Sequence, residues 1–111
     1  DTVESDDDQK IRNLLGSDYQ VLLESTKEYE DAIVDQDGWG ADTAYGMTEK
    51  GVKESVIISD VKYKYVALII DGSKVRFYTN NPAYKSKLPI TVEQWRSGFK
   101  NYPVEYVYKD M

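Results

Sequence analysis

No cysteine and no histidine occur anywhere in this chain. The first absence removes disulfides, thiol nucleophiles and thiolate metal ligands. The second removes the side chain best suited to proton transfer near neutral pH. Ser55, Ser59, Ser73 and Ser97 therefore have only lysine or carboxylate as a possible base, and they stand in no nucleophile-elbow motif. No glycine-rich loop between a strand and a helix is placed to cradle a phosphate. Long hydrophobic runs are missing too. The longest is Tyr65-Val66-Ala67-Leu68-Ile69-Ile70, far below the roughly 20 residues that a membrane-spanning helix needs.

Positive charge is scarce in one part of the chain and plentiful in the other. Residues 1–49 hold 14 acids against three bases, Lys10, Arg12 and Lys27, a net charge of −11. Residues 50–111 hold 11 bases against six acids, a net of +5. Blocks of like charge repel internally and seek the opposite sign. The acidic part must lie over the basic part or present itself to a cationic partner. Ten tyrosines are the other compositional bias. Each has an apolar body and a polar tip, suited to sheet faces, cores and binding surfaces alike.

At 111 residues the chain predicts one domain. Residues 1–8 carry a charge of −5 and one apolar residue, Val3, which predicts a disordered acidic tail followed by a single domain over 9–111. Such a start fits a mature N-terminus left by signal-peptide removal, or a truncation. A short helix is expected over Gln9–Leu15, stopped by Gly16. A longer one follows, capped by Ser17 or Asp18, with Tyr19, Leu22, Leu23, Thr26, Tyr29 and Ile33 at helical spacing; it ends at Gly38 or unwinds earlier near Asp35, and the alternative is a strand over Tyr19–Leu23 with a shorter helix after it. Trp39 to Lys50 reads as a loop.

From Val52 the period changes to that of strands. Val52–Ile58 and Val61–Ile70 are expected strands. The second is apolar on both faces towards its end, the mark of a central strand packed on two sides. Asp71-Gly72 between strand-like runs predicts a tight hairpin, with Lys74–Thr79 as the return strand. After Asn80-Asn81-Pro82 and an irregular link, Thr91 and Gln94 match a capping box. A last strand alternates Val104, Tyr106 and Tyr108 with Glu105, Val107 and Lys109. The expected fold is α+β: an antiparallel sheet of four to five strands with helices on one face.

Three constellations bear on function. Asp35, Asp37 and Asp42 surround Gly38-Trp39-Gly40. Asp35-Gln36-Asp37-Gly38 resembles part of a calcium loop, but that register puts Ile33 and Ala44 at positions that must supply oxygen. No metal and no cofactor is expected. Lys62-Tyr63-Lys64-Tyr65, Arg76-Phe77-Tyr78 and Tyr84-Lys85-Ser86-Lys87 interleave bases with aromatics, a pattern that suits single-stranded nucleic acid. A sequence pI near 4.6 opposes that reading. Trp95, at a helix start, is expected in the core. Trp39, flanked by glycines and acids, either packs inward or serves as an exposed anchor.

The sequence thus predicts a non-catalytic protein-binding module outside the cytoplasm. It would be an acidic inhibitor or immunity protein that covers a basic partner enzyme, such as a lysozyme-like hydrolase or a nuclease. Its contact residues would be Asp35, Asp37, Trp39, Asp42 and Tyr45. The alternatives are a structural subunit without a charged partner, and nucleic-acid binding through the Lys/Tyr-rich sheet.

Overall fold

The computed structural model describes residues 6–31, 42–60 and 62–110. Six strands lie in chain order in one sheet: β1 (Glu28–Asp31), β2 (Asp42–Met47), β3 (Lys53–Ser59), β4 (Lys64–Ile70), β5 (Lys74–Thr79) and β6 (Val104–Tyr108). β1 to β5 pair antiparallel, and β5 pairs with β6 in parallel. The fold is α+β, but the sheet is larger than expected and mixed. Parallel pairing follows from the connection. The 24 residues from Asn80 to Pro103 hold a 3-10 turn, Pro82–Tyr84, and α3 (Ile90–Arg96). A crossover of that length returns the chain to the end from which β5 started, whereas a short hairpin reverses it.

β4 explains why the helices are not confined to one face. Its seven residues are all buried. Val66, Leu68 and Ile70 point to one side, with Tyr78 of β5, and pack against Ile11, Leu14, Leu15 and Leu22. Those residues belong to α1 (Asp6–Leu15) and α2 (Tyr19–Ser25). Tyr65, Ala67 and Ile69 point to the other side. They join Val56, Ile58, Val75 and Phe77 beneath Val92 and Trp95 of α3. Two apolar faces need two covers, so the helices divide between them.

α1 begins inside the stretch expected to be tail. Asp6, Asp7 and Asp8 form its first turn. Residues 1–5 lie outside the described residues. Gly16 ends α1 with φ +59°, as its position predicted. α2 is much shorter than its helical stripe suggested. The chain turns extended at Thr26, with φ −112° and ψ 109°. Glu28–Asp31 then pairs with Ala44–Met47 instead of continuing the helix. Thr26 and Tyr29 satisfied the helical period, but strand pairing won. β2, expected as loop, is short of large apolar residues because its register needs small ones. A Cβ at Gly46 would lie 2.1 Å from Ser55 Oγ and 2.7 Å from Thr26 Oγ1.

The Asp71-Gly72 turn forms as expected. Both residues have positive φ, 55° and 67°, and Ser73 N donates to Ile70 O at 3.1 Å. No atom would meet a Cβ at Gly72, so only backbone conformation resists substitution there. Gly72→Val is expected to lower stability by roughly 1 kcal/mol or more, read as a shift of the thermal midpoint. An unchanged midpoint would show that the turn does not hold this conformation.

α3 starts by a different device from the predicted capping box. Pro89 occupies the N-cap, its carbonyl accepts from Glu93 N at 2.9 Å, and Thr91 is buried. Among the described residues no helix is long and apolar enough to cross a membrane.

Candidate functional site

The charge split becomes a contrast between regions of the sheet. Among the described residues β1 is one edge, and it belongs to the acidic part of the chain. Glu28, Tyr29 and Glu30 are exposed there, Tyr29 at 55%. Partial burial, with Tyr19 and Asp8 nearby, raises the Tyr29 phenol above its ordinary value. On the other side of the strand Glu30 meets Lys53 at 3.1 Å, and Lys53 Nζ stands 4.6 Å above the Tyr45 ring.

Of the five predicted contact residues, Tyr45 is the most fully placed. It lies on β2, half-buried against the α3-side core. Asp42 opens β2, its backbone in register with Ser59. Asp35, Asp37 and Trp39 lie outside the described residues, in the connection between β1 and β2. Glu28, Tyr29 and Glu30 were missed as surface candidates because the helical reading ran through them.

Part of the acidic region is used internally. Asp18 was a candidate helix cap, yet its side chain caps nothing. Its carboxylate instead accepts from Arg76 Nη1 at 2.7 Å and from the Tyr78 hydroxyl at 2.6 Å. Arg76 Nε also donates to Glu105 Oε1 at 2.7 Å, and Lys74 lies 3.5 Å from the same oxygen. The cluster ties the start of α2 to β5 and β6. Burial pushes the Asp18 carboxyl up, but the hydrogen bonds from Tyr78 and Arg76 outweigh it and leave the group below its ordinary value. The bond from Arg76 likewise holds Glu105 low. Nothing local in the sequence signals this cluster, because its members lie 58 and 60 residues apart.

Three lysines of the basic part stand over tyrosines at the end of the sheet where β4 begins and β6 finishes, while Lys53 faces β1. Lys62 stands 5.1 Å over the Tyr63 ring, Lys85 4.7 Å over Tyr108, and Lys87 5.3 Å over Tyr84. A buried polar node holds this end in place. Lys64 N donates to Asn80 Oδ1 at 2.8 Å, Thr79 Oγ1 to Lys64 O at 2.8 Å, and Asn81 N to Thr79 Oγ1 at 3.0 Å. The Lys64 ammonium donates to the Asp60 carbonyl. Tyr65 is fully buried, and its hydroxyl has no hydrogen-bond partner among the described residues. Burial, with Tyr106 and Tyr84 nearby, pushes that phenol strongly upward.

The three Lys/aromatic segments do not make one face. Phe77 and Tyr78 are buried on opposite sides of the sheet, and Arg76 is engaged with Asp18 and Glu105. Bases stacking on the sheet would find Tyr65, Phe77 and Tyr78 covered by helices. Among the described residues no group of three or more carboxylates is placed to hold a metal ion. No protein-family model, curated protein or solved structure matches this chain.

Proposed function

We propose that the protein is a non-catalytic binding module that presents its acidic edge to a basic protein, as an inhibitor or immunity protein does. One observation carries this reading: among the described residues β1 is an edge strand, with Glu28, Tyr29 and Glu30 exposed. An edge that joins carboxylates to an aromatic anchor suits a partner rich in Lys and Arg. The same strand leads into the segment containing Asp35, Asp37 and Trp39, and Asp42 follows at the start of β2. In this reading Trp39 enters the partner's cleft and the carboxylates meet its cations. Lysozyme-like hydrolases and secreted nucleases have the required charge, and they place the module outside the cytoplasm.

The test is inhibition. The protein is titrated into a lysozyme and into a basic secreted ribonuclease at two salt concentrations. The expected result is inhibition whose association rate falls as salt rises. Trp39→Ala should weaken the complex by about 2 kcal/mol, roughly thirtyfold, at an unchanged thermal midpoint. A Trp39→Ala variant that inhibits normally but melts early would assign Trp39 to the core.

A second reading, a structural subunit with no charged partner, is favoured by the pairing of Asp18 with Arg76 and of Glu30 with Lys53. There the acidic part answers the basic part within one molecule. That reading expects stability to fall in high salt, with no salt-dependent association.

A further inference from the structure

We propose that β6 is a second docking edge, which takes an extended acidic segment of a partner protein as a seventh strand. The register determines which backbone groups are available. Val75 N donates to Pro103 O at 2.9 Å, and Lys109 N donates to Thr79 O at 3.0 Å. Between these bonds the parallel pairing aligns Val75 with Val104, Phe77 with Tyr106 and Thr79 with Tyr108. In a parallel ladder alternate residues bond the neighbouring strand. Pro103, Glu105, Val107 and Lys109 therefore bond β5, and the N–H and C=O groups of Val104, Tyr106 and Tyr108 point outward. Among the described residues β6 has no neighbour on that side.

An open edge is a template for another strand unless it is blunted. Within β6 there is no proline and no bulge. Its one charged side chain, Glu105, is bound by Arg76 and Lys74. Tyr106 is 47% exposed, with its ring 5.3 Å from Phe77, and offers an apolar shelf beside the free edge. Strand addition of this type draws affinity from main-chain hydrogen bonds and specificity from the flanking side chains.

Those flanks select the charge of the occupant. Lys62, Lys85 and Lys87 are exposed at the end where β6 finishes, and Lys85 lies over the ring of Tyr108 itself. Three ammonium groups beside an open strand favour an occupant carrying Asp and Glu, and they oppose a second β6 edge that brings lysines of its own. Nucleic acid fits less well, since one face of each of Tyr63, Tyr84 and Tyr108 is already covered by a lysine. This inference concerns the edge opposite the acidic one and does not depend on the proposed inhibitor function.

The probes are a blocked peptide alternating Glu with Val and its Lys-Val counterpart, each titrated into the full chain while amide exchange and NMR shifts are followed. The acidic peptide should bind about tenfold or more tightly than the basic one. It should slow exchange at the Tyr106 and Tyr108 amides. Tyr106→Pro removes an outward N–H that β5 does not use, so it should abolish binding in a chain that still folds. Lys85→Glu with Lys87→Glu alters exposed side chains alone and should weaken the acidic peptide about tenfold. Peptide binding without protection of Tyr106 and Tyr108 would mean charge adsorption and overturn the proposal. So would stronger protection of these amides by a single-stranded oligonucleotide, or self-association through β6 without peptide.

Discussion

Trp95→Ala is expected to destabilise the protein by about 4 kcal/mol, the largest effect among the substitutions considered. Trp95 is 7% exposed and sits on α3 over Val56, Phe77 and their neighbours. Its ring lies 5.1 Å from that of Phe99. Its indole N–H donates to the Lys53 carbonyl at 2.8 Å. Truncation removes the apolar burial, leaves a cavity that the sheet cannot collapse into, and leaves that carbonyl without its donor. Trp95→Phe keeps most of the packing and loses the hydrogen bond, so it should cost about 1–2 kcal/mol. Urea denaturation measures both. A loss below about 1 kcal/mol for Trp95→Ala would mean that α3 does not cover this face. The chain has two tryptophans, so the fluorescence of either Trp95 variant reports Trp39 alone and shows whether partner binding perturbs it.

Asp18→Ala is expected to cost about 2–3 kcal/mol at neutral pH. The change strands two donors at once. Tyr78 is almost fully buried and would lose its hydroxyl acceptor. Arg76 would keep Glu105 but lose its second carboxylate. The pH dependence distinguishes this cause from simple packing. The folded-state carboxyl lies below its ordinary value of 3.8. A depressed carboxylate contributes stability that is fully present above its unfolded pKa and is lost as pH falls through the folded pKa. The stability gap between wild type and Asp18→Ala should therefore be constant from neutrality to about pH 5 and shrink below pH 4. Denaturant unfolding at a series of pH values gives the gap directly. A gap that stays constant into strong acid would show that charge has no part in it.

Several features of the fold are readable residue by residue, and each depends on local chemistry. Gly16 ends α1 and Asp71-Gly72 turns a hairpin because few residues tolerate positive φ. Lys74–Thr79 is a strand with the expected bounds. The two apolar faces of β4 divide as the alternation of Tyr65, Ala67 and Ile69 with Val66, Leu68 and Ile70 implies. The failures around β1 and β2 share a cause: the deciding partner is remote. Thr26 to Asp31 leave the helical period because Ala44–Met47 offer a ladder. β2 has too few large apolar side chains to read as a strand, and its Gly46 answers to Thr26 and Ser55, which lie far away in sequence. The capping-box pattern at Thr91 was overruled by Pro89, whose fixed φ starts the helix two residues earlier. The parallel β6 was implicit in the long link before it, but strand alternation carries no information on direction.

The candidate site was legible only as charge. The positions of the acids and bases mark an acidic and a basic part. That these parts supply opposite edges of one sheet follows from strand order, which charge does not encode. Tyr45, chosen for its place beside the acidic loop, packs inward under Lys53. Tyr29, absorbed into a supposed helix, is the exposed aromatic of the acidic edge.

Amide hydrogen exchange, measured along the chain as a basic hydrolase is titrated in, tests the acidic-edge account most directly. Slower exchange is expected at Glu28, Tyr29 and Glu30 in β1, weaker at high salt, with Tyr106 and Tyr108 in β6 unchanged. Unchanged exchange at β1 across lysozyme and ribonuclease, or protection confined to β6, would contradict it.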